Sequence, residues 1–367
     1  MPDIHLLMTA DAAGGIWTYA LETAQALSTR GISTTLAVLG DPPSDSALRE
    51  ARAIAGLRIE LTGLPLDWTA ASAREVTQAG EEIARLSCRV GADLIQLNAP
   101  AVAATASFAV PTIGLLHSCV ATWWEGVHGN AAMPADLDWR AKLTRAGLTR
   151  VDVAIAPSQA LARQAQRLYA LPSPLVVIPN GRSAPDAARA ANRDIVVLTA
   201  GRLWDQGKNV AAVDRAAAHL PFKICAAGPL AGPSGAAVRL DGLDWLGTLD
   251  PAALREVMAR SAVFVSPALY EPFGLAVLEA AQAGCALVLS DIPTFRELWD
   301  GAALFFVPSD PKAIVDALNN ITVDTALRTR LAAAAQRRAA KYTPDRSADA
   351  LAALMRSLLA GPQRRAS

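Results

Sequence analysis

Two hydrophobic patterns alternate along this chain from its first residues to about residue 310. Short, nearly unbroken apolar runs lie at 4–9, 34–39, 93–97, 112–116, 153–156 and 176–178. Runs of that length, bounded by polar or turn residues, predict strands buried on both faces. Between them, at 16–30, 75–90, 142–150 and 159–168, apolar residues recur every three or four positions. That spacing predicts helices with one buried face. The stretch between 117 and 141 shows neither pattern and reads as irregular. A second series follows, with strands at 195–199, 222–226, 263–266, 286–290 and 304–307 and helices between them. From 311 to 359 the pattern is helical only, ending in amphipathic helices at 326–341 and 346–359, and 361–367 reads as a frayed end. Such alternation predicts an α/β chain whose parallel sheets carry helices on both faces.

The alternation breaks once. Pro179-Asn180-Gly181 is a turn signal, and the residues up to 194 are rich in Ala, Arg, Asn and Pro with no strand signal. The expected organisation is a first domain at 1–182, a linker at 183–194, a second domain at 195–342, and a final helix and tail at 343–367. Two domains suit a length of 367 residues. Two doubly wound domains in series predict a cleft at the carboxyl ends of both sheets.

Lys plus Arg equals Asp plus Glu at 34 each, so nothing points to a nucleic-acid partner. Cys88, Cys119, Cys225 and Cys285 form no C-x-x-C pair and sit in or beside apolar runs, which predicts buried free thiols in a reducing compartment. No apolar run reaches the roughly 18–20 residues of a membrane span. The start, Met1-Pro2-Asp3-Ile4-His5, lacks a basic leader and reads as a first strand, so a cytoplasmic protein is expected. Residues 139–167 carry Arg140, Lys142, Arg145, Arg150, Arg163 and Arg167 against Asp152. That face is either ordinarily solvated or leans peripherally on anionic lipid at the inner face of a membrane.

Candidate chemistry gathers after the strands. At 270–279, Tyr-Glu-Pro-Phe-Gly-Leu-Ala-Val-Leu-Glu places Glu271 and Glu279 eight residues apart, across a turn that opens a helix near Gly274 and ends it at Gly284. Amides at such a helix mouth bind anions. A carboxylate beside an anion site suits a ligand that also carries hydroxyls, as a sugar or ribose does. Gly201-Arg202-Leu203-Trp204-Asp205-Gln206-Gly207-Lys208-Asn209 follows a strand, and Arg202 and Lys208 suit a diphosphate, one as a planar fork and the other as a mobile charge. It is not a nucleotide-binding P-loop, because five residues separate the glycines and Asn209 stands where Ser or Thr is needed. Gly14 and Gly15 follow the first strand and allow close approach of a ligand to a helix start. His117 ends the fourth apolar run and is either a site residue or a hydrogen-bonded structural one. The adjacent Trp123 and Trp124 either pack in a loop or stack on an acceptor ring. Asp136-Leu137-Asp138 reads as helix capping rather than a metal string. Four scattered histidines give no zinc pattern.

The segments at 201–209 and 270–279, together with Gly14-Gly15 and Asn180-Gly181, resemble retaining glycosyltransferases of family 4, from Asn180 to Asp310 most strongly. The resemblance implies a GT-B fold: two Rossmann-like doubly wound domains facing a cleft, with the last helix crossing back to the N-terminal domain. It implies a nucleoside-diphosphate sugar as co-substrate (UDP, GDP or ADP), no separate cofactor and no metal. Arg202 and Lys208 would hold the diphosphate with amides of Phe273, Gly274 and Leu275. Glu279 would bind the ribose, Glu271 the donor sugar, His117 the donor or acceptor, and Gly14 and Gly15 would face the diphosphate and acceptor. The acceptor would be a carbohydrate, a lipid-linked sugar or a small molecule. A sugar-nucleotide 2-epimerase and a non-catalytic nucleotide-binding partner share the architecture and stay open, as do the base, the sugar and the oligomeric state.

Overall fold

The structure is a computed structural model and describes residues 4–12, 14–184, 193–232 and 235–361. The chain divides into two compact units. One comprises 1–125, 130–181 and 344–367, the other 126–129 and 182–343. The expected linker at 183–194 falls largely outside the described residues, which resume at 193.

The first unit is a seven-stranded parallel sheet of β1 (Ile4–Asp11), β2 (Ile32–Leu39), β3 (Leu57–Leu61), β4 (Leu94–Leu97), β5 (Thr112–Leu115), β6 (Val153–Ala156) and β7 (Val176–Val177). Their spatial order is β3-β2-β1-β4-β5-β6-β7. Its helices are α1 (Gly15–Ser28), α2 (Asp45–Arg52), α3 (Ala73–Val90), α4 (Val120–His128), α5 (Ala135–Arg150) and α6 (Gln159–Tyr169), with α4 running on into residues grouped with the second unit. Successive strand residues feed opposite cores, as the pleat requires. Leu6, Met8, Leu36 and Val38 join α1, whereas Leu7, Ala37, Leu39 and Ile95 pack with Val76, Ile83 and Leu86 of α3.

The second unit repeats the design with β8 (Ile195–Ala200), β9 (Ile224–Ala227), β10 (Asp244–Trp245), β11 (Ser261–Ser266), β12 (Ala286–Ser290) and β13 (Ala303–Phe306), in the parallel order β10-β9-β8-β11-β12-β13. Around it lie α7 (Val210–Ala217), α8 (Pro251–Arg260), α9 (Leu275–Gln282), α10 (Pro293–Trp299), α11 (Pro311–Val323) and α12 (Thr325–Ala339). Val263 and Val265 face the core shared with α7 and α11, and Phe264 faces the core shared with α9 and α10. The last helix, α13 (Pro344–Ala360), belongs to the first unit, where Ala348, Leu351, Ala352 and Met355 enter the core beside α1. Arg30 secures it, donating through Nε to Asp349 at 2.7 Å and through Nη2 to Asp345 at 3.1 Å.

In both sheets the strand order reverses beside the first strand, at β1/β4 and at β8/β11. The carboxyl ends of strands at such a reversal leave a crevice suited to a ligand. Three sequence readings change. Residues 117–141 are not irregular: α4 carries Trp123 and Trp124, and α5 begins at Ala135. Trp123 and Trp124 are therefore helical neighbours rather than loop indoles, and Trp124 Nε1 donates to the Ala131 carbonyl at 2.7 Å. The thiols are not uniformly buried, since Cys88 is exposed and only Cys285 is fully buried.

Candidate active site

The loop after β8 is built by side chains that bond their own backbone. Asp205 is buried and accepts from the Gly207 amide at 2.9 Å, starting a short 3-10 turn over Gln206–Lys208. Its other oxygen accepts from Arg202 Nη2 at 2.9 Å. Asn209 takes a left-handed conformation (φ 52°), which Asn tolerates better than most residues, and caps the start of α7. The loop is then stitched to the turn after β11. Asn209 Nδ2 donates to the Pro267 carbonyl at 3.1 Å, and the Gly207 carbonyl accepts from the Leu269 and Tyr270 amides at 2.8 and 3.2 Å.

That stitching brings Lys208 Nζ to 2.5 Å from Glu271 Oε2, with side chains 22% and 13% exposed. The sequence reading gave these residues separate partners; here they form one pair across 63 positions. Arg202 remains 58% exposed, its guanidinium 5.7 Å from the Trp204 ring. One cation is thus held in the wall and the other is available to a ligand.

Glu271 leads into Gly274, which caps α9 at φ 92° without a side-chain hydrogen bond. Only glycine adopts this conformation cheaply, and a Cβ there would lie 3.2 Å from the Phe295 ring. The first turn of α9 contributes the amide of Leu275, and those of Phe273 and Gly274 precede it. Amides at a helix start have no partner within the helix and carry its positive dipole end. Phe273 is buried edge-on against Tyr342, with ring centres 5.6 Å apart. Glu279 lies on the second turn of α9 and is bonded by Arg182 Nε at 2.5 Å. The second unit therefore assembles Arg202, Lys208, Glu271, the α9 amides and Glu279 at the carboxyl ends of β8 and β11, where its strand order reverses.

In the first unit Gly14 (φ 72°) caps α1 and Gly15 begins it, beside the end of β1. His117 follows β5, its Nε2 3.3 Å from Asn98 Oδ1 and its ring edge-on to Tyr19 at 4.7 Å. Asn98 is fixed to β1, donating Nδ2 to the Thr9 carbonyl at 2.7 Å, and Gln96 bridges it to Tyr19. Burial pushes the Tyr19 phenol up to about 12 and the His117 imidazole far below its usual value. That lowering favours the neutral imidazole, which suits directing a hydrogen bond better than taking a proton.

Sequence reasoning missed Asp205, Asn98 and Arg182. Asp205, two residues before Gly207, carried a legible capping signal. Asn98 had none, and Arg182 was assigned to the edge of the linker. Asp136 and Asp138 lie in the first turn of α5, where Asp138 pairs with Lys142. Among the described residues no cluster of metal-binding side chains occurs. In the basic stretch, Arg140 bonds the Asp67 and Ala70 carbonyls, Arg150 the Ala106 carbonyl and Arg167 the Glu125 carboxylate.

Two parallel sheets whose strand order agrees over six strands, each covered by helices and followed by a final helix returning to the first unit, define the GT-B class of α/β fold. The chain belongs to the glycosyltransferases of family 4 type: the family described as "Glycosyltransferase Family 4" matches residues 13–183, and "Glycosyl transferases group 1" matches 184–338. It is 33% identical over 203 residues to a phosphatidyl-myo-inositol mannosyltransferase of Mycobacterium tuberculosis, covering 50% of this chain and 53% of that protein. The chain thus spans about half the length of the curated relatives it matches. Among solved structures, a sucrose-phosphate synthase from Thermosynechococcus elongatus superposes with a TM-score of 0.78 at 19% identity, over 98% of this chain and all of that one. The Anabaena protein HepE, solved with UDP and glucose, gives 0.73 at 18% identity over 96% of this chain and 100% of that one. No helix among the described residues is long and apolar enough to cross a membrane.

Proposed function

We propose that the chain is a retaining, metal-independent glycosyltransferase that moves a sugar from a nucleoside-diphosphate sugar to a carbohydrate, lipid-linked or small-molecule acceptor. The observation that carries this reading is the convergence of Arg202, Lys208 and the α9 amides with two carboxylates, at the strand reversal of one sheet. The cations and amides suit the diphosphate, and the carboxylates suit sugar and ribose hydroxyls. UDP is bound by HepE, and mannosyl transfer is named for the mycobacterial relative, which supports a sugar nucleotide as donor.

The chemistry breaks the bond between the anomeric carbon and the diphosphate and forms one to an acceptor oxygen on the same face. The acceptor proton passes to the leaving phosphate oxygen, so no enzymic base is required. Arg202 and Lys208 stabilise the charge that builds on the diphosphate, the task a metal performs in other enzymes. Lys208 is held for that by Glu271, which also faces the donor sugar. Gly14, Gly15 and His117 serve the diphosphate and the acceptor in this reading. The basic stretch leaves the exposed Arg145 and Arg163 as the best-placed cations for peripheral contact with an anionic membrane.

Lys208→Ala should lower sugar transfer by about 100-fold or more, since a single group stabilising developing charge contributes that much. Release of nucleoside diphosphate and new glycoside would be followed together with thermal unfolding. Normal turnover in a folded variant would overturn the reading. Conversion of the donor without any glycoside would replace it with an epimerase.

A further inference from the structure

Arg182 is the first residue of the second unit after Gly181, at a point where the sequence predicts only the edge of a linker. Its surroundings are those of a site residue. Its Nε donates to Glu279 Oε1 at 2.5 Å, with the two side chains 14% and 16% exposed. Its carbonyl accepts from Gln282 Nε2 at 2.8 Å, and Gln282 lies three residues beyond Glu279, on the same face of α9. Its amide donates to the Tyr342 carbonyl at 3.1 Å, and Tyr342 is the residue packed edge-on against Phe273. Side chain and main chain of Arg182 are therefore tied to α9 one turn apart, and its third bond leads back to the turn that opens the same helix. Among the described residues the Arg182 guanidinium is the only donor to the Glu279 carboxylate.

We infer that Arg182 is a positioning residue for the nucleotide: it holds Glu279 by Oε1, fixing its rotamer so that Oε2 meets the ribose hydroxyls. This rests on the reading above that Glu279 binds the ribose. A free glutamate on a helix samples several rotamers and must be ordered when a ligand arrives. One already held by a planar donor is ordered beforehand, so its bond to a hydroxyl is stronger. The consequence is selectivity for a ribose diol, set by a residue that does not itself touch it.

The test compares calorimetric affinities for UDP, GDP and ADP with those for their 2′,3′-dideoxy counterparts. In the wild type, the diphosphate that binds should exceed its dideoxy form by about ten- to a hundredfold, the range for a hydrogen bond to a charged group. Arg182→Ala should reduce that ratio to a few-fold, mainly by weakening the ribonucleotide. Arg182→Lys should restore part of it. Glu279→Gln should also lower it, and adding Arg182→Ala to Glu279→Gln should lower it no further. A purely structural role would weaken both nucleotides equally and leave the ratio unchanged, which would overturn the inference. If Arg182→Ala does not fold, Arg182→Lys and Arg182→Gln decide: a ratio unchanged in both overturns it, and a ratio kept by Lys and lost by Gln upholds it. Wild-type protein that binds none of the three diphosphates would overturn the proposed function and this inference with it. Wild-type binding with an unaltered ratio in the variants would overturn this inference alone.

Discussion

Lys208 and Glu271 show how much a site depends on residues that the chain keeps far apart. Each was legible as a candidate from its own neighbours: a cation in a glycine loop after a strand, and a carboxylate before a helix mouth. Their pairing was not, because it depends on the Gly207 carbonyl and the Asn209 amide joining two loops, and single-residue patterns carry no such information. The pairing of Glu279 with Arg182 was hidden for the same reason. Gly274 is the position where backbone and site meet most directly. At φ 92° an L side chain is strained, and its Cβ would also press on Phe295. Gly274→Ala should therefore cost about 1–2 kcal/mol of stability and displace the amides around Leu275. Urea unfolding followed with nucleotide titration checks this. Unchanged stability and binding would mean that the turn relaxes freely and does not shape the site.

Among elements, strands with both faces buried were read from apolar runs, and several elements resting on few contacts were missed, although the short edge strand β7 was found. β3 pairs only with β2 and keeps most of its residues at the surface, so Leu57–Leu61 shows the short alternation of a half-exposed strand rather than the unbroken apolar run by which the other strands were read. α2 buries only Ala51, and β10 is two residues long and exposed. α4 was lost because its aromatic, glycine and histidine content hides a helical period. The last helix was legible in both extent and character. The attachment of α13 to the first unit makes a prediction about pH. The hydrogen bond from Arg30 holds the Asp349 carboxyl below its usual range. A carboxylate with a depressed folded value adds stability above its unfolded pKa, near 4, and loses it as pH falls through the lower folded value. Asp349 is well exposed, so solvent screening keeps the effect small. The wild type should melt slightly above Asp349→Asn at pH 7, and the gap should close toward pH 2–3. A gap that stays constant with pH would show that the ion pair does not help hold the helix.

At the scale of the whole molecule, two sheets that share one strand order over six strands place their reversal points beside β1 and β8, and the candidate chemistry follows those points rather than the surface at large. With 34 cations and 34 anions in the chain, net charge points to no site, and placement has to do so. Arg202, paired with Asp205 yet 58% exposed at the reversal of the second sheet, still presents its guanidinium to solvent. If this place holds a nucleoside diphosphate, calorimetric titration of the purified chain with UDP, GDP and ADP, repeated on Arg202→Ala, will show it. At least one of the three should bind at a single site, and Arg202→Ala should weaken it by about tenfold or more, as expected for a lost hydrogen bond between charged groups. Binding of none of them, or binding untouched by the substitution, would contradict it.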